Sequence, residues 1–222
     1  MISQMFSFLW KEFLVEWRNK SVLGAILLYA FSTVYIIYSF QNFKKLSAEE
    51  LYSSWNILFW LVILFITVNA ISKSFNHEGS GRYLYYYTIA NPTAFILAKI
   101  LYGILSVLLL SLITLFLFIL FFGFPFQQFY IFLLAMFFGG GGLAIIFVLI
   151  SAIASKVENN FVLVSIMGFP LILPFMAFTM QLSELSFAWF DTGLTKNVII
   201  LALFDVLLVV LSVILFPFIW RN

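Results

Sequence analysis

Between Lys99 and Lys156 the chain runs for 56 residues, 100–155, without one Asp, Glu, Lys, Arg or His. A water-soluble domain carries charge at about one residue in four, so an interval of this length belongs in lipid. A crossing takes about 20 apolar residues, and the interval therefore holds two crossings. Their turn is legible in Gly123, Phe124, Pro125, Gln127 and Gln128, because Gly and Pro break a helix and the amides can face water. Further membrane-length apolar runs precede and follow it. The full set is about 21–43, 51–72, 92–122, 129–155, 161–180 and 197–219, joined by short polar turns. With 64% hydrophobic residues, 9% charged and a mean hydropathy of +1.14, the expectation is a single-domain, all-α integral membrane protein with six transmembrane helices. No loop is long enough for a nucleotide-binding or soluble catalytic domain, so any ATP is handled by a partner. A net charge of +2 with scattered cations argues against nucleic acid, and the absence of cysteine excludes disulfides and thiolate metal sites.

Ahead of the first run, Ile2, Met5, Phe6, Leu9 and Phe13 recur at helical spacing, with Gln4, Ser7, Lys11 and Arg18 on the opposite side. Residues 2–18 thus read as an amphipathic interfacial helix in the headgroup plane, with Trp10 and Trp17 at the interface and its cations toward lipid phosphates. The apolar run that opens near Ser21 is long enough to span, and reads as a span rather than a cleaved leader. Trp55 and Trp60 fit an aromatic belt. Within 181–196 the short apolar group Phe187, Ala188, Trp189 and Phe190 suggests an interfacial or partly re-entrant helix. If the N-terminus is cytoplasmic, the inner segments hold eight cations (Lys11, Arg18, Lys20, Lys73, Arg82, Lys99, Lys156 and Arg221) and the outer turns three (Lys44, Lys45 and Lys196). That imbalance places both termini in the cytoplasm.

Chemistry-bearing residues are few. Asp205 is the one acid well inside an expected span; it is either a pathway or pairing group, or an acid that reaches the outer headgroup layer by tilting. Gly139, Gly140, Gly141 and Gly142 form a run that lets a neighbouring backbone approach closely, or bends or unwinds the helix as a hinge. Pro170 and Pro174, four apart, each remove a backbone donor on one face and are expected to kink their span. His77 has no second His, Cys or acidic cluster at ligand spacing and reads as a solvated or partner-facing side chain. An intramembrane serine protease needs a histidine in the membrane, and a metal-dependent transferase needs grouped acids. A proton- or sodium-coupled carrier needs more than one buried acid or base. None of these inventories is met.

The segment 73–91 between the second and third spans carries both charge and order. Gly79 and Gly81 permit a tight turn before Arg82, and Tyr83 to Tyr87 offer aromatic area with hydroxyl tips. Asn91 reads as an N-cap and Pro92 as the first helical residue of the third span. At this point the chain resembles the CcmB family, the permease of a type-2 ABC exporter architecture. The resemblance rests on KEFLVEWRNK near the N-terminus, on FNHEGSGRYLYYYTIANPTAFILAK with Phe75, Glu78, Gly79, Leu84, Pro92 and Lys99, on the Gly-rich start of the fourth span, and on FPLILPF in the fifth. His77, the tyrosine run and the unbroken Gly139–Gly142 are not features the family requires.

What the resemblance implies is a permease subunit for haem handling in c-type cytochrome biogenesis, in the bacterial cytoplasmic membrane. It implies a homodimer that pairs with a cytoplasmic ABC ATPase subunit and with a separate haem-handling membrane subunit, binding neither ATP nor haem as a cofactor of its own. The chain is then no enzyme by itself. Segment 73–91 becomes the coupling segment, with Phe75, Glu78, Gly79, Arg82 and Leu84 facing the ATPase. Two alternatives stay open: a type-2 permease for a lipid, polysaccharide or drug, and a non-transporting membrane scaffold.

Overall fold

A computed structural model of the chain describes residues 2–18, 20–43, 48–71, 91–155, 160–188 and 193–221. These form the helices α1 (Ile2–Arg18), α2 (Lys20–Phe43), α3 (Ala48–Ile71), α4 (Pro92–Phe122), α5 (Phe129–Ala154), α6 (Asn160–Glu184) and α7 (Leu194–Arg221), with a 3-10 turn at Leu185–Phe187. In lipid every backbone group must be satisfied within its own segment, which makes helices the natural form for such apolar runs. Five stretches are long and apolar enough to cross a bilayer: Ser54–Ile71, Pro92–Phe122, Phe129–Ala154, Ile166–Phe187 and Leu194–Phe218. In α2 the apolar stretch is the shorter Gly24–Ser39. All-helical architecture is thus observed, with five candidate spans and, ahead of them, the 24-residue α2, whose apolar stretch among the described residues is Gly24–Ser39.

The bundle is built around α5, which packs on α3, α4, α6 and α7. Every residue from 139 to 152 is buried, so this helix has no lipid-facing side over that length. Burial all round explains its uniformly apolar composition. From α2 onward successive helices alternate in direction and give the bundle two distinct ends. At one, Phe8 of α1 and Trp220 of α7 both meet Phe95 of α4, with ring centroids 5.4 and 5.1 Å apart; this is the terminal end. At the other, Gly123 ends α4 with φ +82, where only a residue without a Cβ sits free of strain. There the N–H groups of Gln127 and Gln128 each donate to Ser186 O at 3.0 Å, tying the α4–α5 hairpin to the turn after α6.

Two expectations change. Trp55 and Trp60 are not at a lipid interface: they are 2% and 0% exposed and form part of the core at the hairpin end. The α6 helix runs past residue 180 to Glu184, and Phe187 packs inward against Phe126 and Trp55. A belt tryptophan and a core tryptophan have the same sequence signature near a span end, and only the neighbouring helices decide between them. Trp189 and Phe190 lie outside the described residues.

Candidate functional site

Lys99 stands about two turns inside α4 and is 2% exposed, an arrangement that costs several kcal/mol unless the charge is paired. Its ammonium donates to Glu12 Oε1 of α1 at 3.2 Å. Lys11 Nζ lies 3.0 Å from the same oxygen. Both cations also sit over the Phe95 ring, 5.4 and 5.8 Å from its centroid, where the ring quadrupole favours them. Burial raises the Glu12 carboxyl, but the nearby ammoniums of Lys99 and Lys11 outweigh it and hold the group below the usual carboxylate range. Phe95 in turn stacks on Phe216 of α7 and meets Trp220. Three helices that are remote in sequence are therefore knotted through one lysine and one phenylalanine.

This knot sets the roll of α1. Met5, Phe8, Leu9 and Glu12, at i, i+3, i+4 and i+7, turn toward the bundle, with Glu12 the most enclosed, while Phe6, Trp10 and Leu14 face outward. The expected apolar face is thus split, and Lys11 lies against Glu12 rather than pointing away to lipid phosphates. An ion pair with a residue 87 positions away fixes the orientation, which no periodicity within α1 encodes.

The segment expected to couple to an ATPase leaves from this end of the bundle. It begins after Ile71, which is 3% exposed at the close of α3. It returns at Asn91, whose Oδ1 accepts from Thr93 N at 3.1 Å and from Thr93 Oγ1 at 2.7 Å, with Pro92 opening α4 as the sequence predicts. From Asn91 to Lys99 is about 12 Å along the helix axis. Phe75, His77, Glu78, Gly79, Arg82 and Leu84 lie outside the described residues.

Midway along the bundle the glycine run, the proline helix and Asp205 converge. The α5 helix is unbroken through residues 139–142. A Cβ on Gly142 would strike the Phe175 ring of α6 and Asp205 Oδ1 of α7, and one on Gly139 would strike Thr179 of α6 and the Trp60 ring of α3. At Gly140 and Gly141 the nearest atoms would stand 3.7 and 3.9 Å away, which is ordinary contact. Close approach thus depends on the first and fourth glycines, three apart on one face. Pro170 and Pro174 lie within α6, which stays helical through both. Phe175, which enters the notch at Gly142, immediately follows Pro174. Asp205 Oδ1 is enclosed and has no hydrogen-bond partner among the described residues.

The hairpin end carries no charge at its centre. Trp55 meets Phe118, Phe126, Phe59 and Phe132 at centroid distances of 5.1, 5.2, 5.5 and 5.5 Å. Beside this cluster Trp60 Nε1 donates to Ser183 Oγ at 2.9 Å, Ser183 Oγ to Asn56 Oδ1 at 2.7 Å, and Asn56 Nδ2 to Met180 O at 3.1 Å. Among the described residues no three His, Cys, Asp or Glu side chains come together as metal ligands would.

The sequence brings out Asp205, the glycines and the prolines but does not single out Glu12, and it marks Lys99 as the edge of a charge-free run, an inner-side cation and a point of family resemblance, not as half of a buried ion pair. One signal was available: Glu12 follows at i+3 and i+7 from Leu9 and Met5, on a line of apolar residues, and an acid in such a place needs a cation. Residues 3–220 match the CcmB protein family. No curated protein matches the chain.

Proposed function

The chain belongs to the CcmB family, the membrane subunit of the cytochrome c maturation haem-export ABC transporter, whose ATP is hydrolysed by a partner subunit, and we propose that it receives the ATPase stroke at its terminal end and passes it into the bundle through the Lys99 knot. Residues 73–91 serve as the coupling segment in this reading, with Phe75, Glu78, Gly79, Arg82 and Leu84 against the ATPase. The observation that carries the proposal is the connection of Asn91 to Lys99 and on to Glu12. A rigid, N-capped helix start delivers any displacement of the segment to a buried ion pair about 12 Å away. Because Lys99 holds α1 and Phe95 holds α7, a movement there reaches three helices together.

Six crossings, with α2 as the first, are part of this reading. So are cytoplasmic placement of both termini in the bacterial inner membrane and assembly as a homodimer with a haem-handling membrane subunit. Support for the orientation comes from the eight-to-three distribution of cations between the two sides. Haem is cargo of the complex in this account, and this subunit converts ATP turnover into its export or into release of the loaded chaperone.

Docking is tested by Glu78→Arg and Gly79→Trp in the assembled complex. Loss of ATPase co-purification, together with loss of c-type cytochromes, is expected. Retention of both by both variants would remove the coupling assignment.

A further inference from the structure

The α6 helix is held very differently on the two sides of its prolines. On the hairpin side, Phe175 enters the notch at Gly142 with its ring 5.6 Å from that of Phe204 of α7, and Thr179 lies against Gly139. Beyond them Met180 O accepts from Asn56 Nδ2, Ser183 Oγ accepts from Trp60 Nε1, and Ser186 O accepts from the N–H groups of Gln127 and Gln128. On the terminal side, from Ile166 to Leu173, the buried residues are Gly168 and Ile172. A Cβ at Gly168 would stand 3.4 Å from Ile150 Cδ1 of α5. Among the described residues no hydrogen bond or ion pair ties 166–173 to another helix, and apolar contact alone holds this half.

The two halves meet where the backbone is weakest. Pro170 and Pro174 have no N–H, so the carbonyls of Ile166 and Pro170 lose their i+4 donors within the helix. Proline is the usual cause of a sharp bend in a helix, because its ring also crowds the preceding turn. Both prolines are exposed, on the side of α6 turned away from Gly168, Ile172 and Phe175, with Ile166 and Leu173 exposed beside them. From residue 160 to Pro170 is about 15 Å of helix, and it runs toward the terminal end.

We propose that α6 is hinged at Pro170 and Pro174: the half from Phe175 to Glu184 stays with the hairpin end, and the half before Pro170 swings against α5 when the terminal end is displaced. This rests on the reading that the terminal end receives the stroke. A kink that only shapes a helix needs no difference in attachment across it, whereas a hinge needs one side held and the other free. The notches at Gly139 and Gly142 belong to the held side, and Phe175 is its last fixed point before the joint.

The test measures mature c-type cytochrome per ATP hydrolysed by the reconstituted complex, with folding checked by circular dichroism and ATPase association by co-purification. Pro170→Ala combined with Pro174→Ala restores both backbone donors with the best helix former and stiffens the joint. The ratio should fall severalfold while thermal stability in mild detergent is kept or raised. Pro170→Gly combined with Pro174→Gly restores the same donors but keeps the joint soft, and should retain most of the wild-type ratio. Pro174→Ala alone is a second stiffened variant if the double one misfolds, and should show the same fall. An unchanged ratio in the folded Ala variant, or an equal fall in the folded Ala and Gly pairs, would overturn the hinge. Glu12→Gln in the same assay separates the hinge from the reading beneath it. If the ratio falls with Glu12→Gln and not with the stiffened joint, only the hinge is lost; if it falls with the stiffened joint and not with Glu12→Gln, the hinge stands and the path through Lys99 is lost.

Discussion

The two ends of the bundle are held by opposite kinds of chemistry. At the hairpin end, Trp55 and its phenylalanines interlock with no charge among them, and a run of neutral hydrogen bonds through Trp60, Ser183 and Asn56 fixes α3 to α6. At the terminal end, α1 is held to α4 by a buried ion pair within a small aromatic frame. Aromatic packing resists displacement in every direction and is indifferent to pH. An ion pair is directional, and separating it exposes a charge that the interior cannot accommodate. The hairpin end is suited to act as a fulcrum and the terminal end as the part that is moved.

The largest effect that separates the two ends is expected from Phe59→Ala. A fully buried ring at the hairpin end is lost, and stability should fall by about 4 kcal/mol. Thermal unfolding in mild detergent would measure this, and the loss should be the same at pH 5 and pH 7. Next is Glu12→Leu, which strands the buried Lys99 ammonium and should cost about 3 kcal/mol. Adding Lys99→Met should restore most of it, since an apolar pair of similar volume has no charge to desolvate. If the double variant is no more stable than Glu12→Leu alone, the pair is not what holds α1 in place.

Between the ends, the glycine run gives a smaller and patterned effect. Gly139→Ala and Gly142→Ala should each cost about 1–3 kcal/mol by overpacking, whereas Gly140→Ala and Gly141→Ala should be neutral or slightly stabilising in the same unfolding assay. Equal costs at all four positions would contradict the one-face notch.

The smallest effect is that of pH. Because the Glu12 carboxyl is held below its ordinary value in the folded protein, its contribution is fully present above the unfolded-state carboxylate range, about pH 4–5, and is lost as pH falls through the lower folded-state value. Glu12→Gln should flatten this acid limb of the stability profile and leave the neutral region parallel to wild type.

Much of this architecture was legible because lipid imposes a simple rule on sequence: an apolar run of sufficient length is a helix that crosses. Asn91 and Pro92 mark the start of α4 by local chemistry alone, and local chemistry can be read. The ends of elements were harder. Gln181 and Glu184 look like the beginning of a connector, yet they continue α6, since a polar residue can remain helical where Ser183 and Ser186 find partners in the neighbouring turns. Lys99 falls inside the expected third span, 92–122, but its burial could not be read, because the acid that pairs with it lies 87 positions away. Glu12 could not be paired from sequence, its partner being on another helix. Which of four identical glycines matters depends on Phe175, Asp205, Thr179 and Trp60, side chains that only the fold brings to α5.

The most direct measurement is the yield of mature c-type cytochrome per ATP hydrolysed by the reconstituted complex carrying Glu12→Gln, with ATPase association checked by co-purification. If the terminal end transmits the stroke, the ATPase subunit remains bound and hydrolysis continues while maturation per ATP falls at least severalfold, and Phe6→Ala on the outward face of α1 leaves the ratio unchanged. An unaltered ratio in a Glu12→Gln complex that is assembled and folded would contradict transmission through the Lys99 knot.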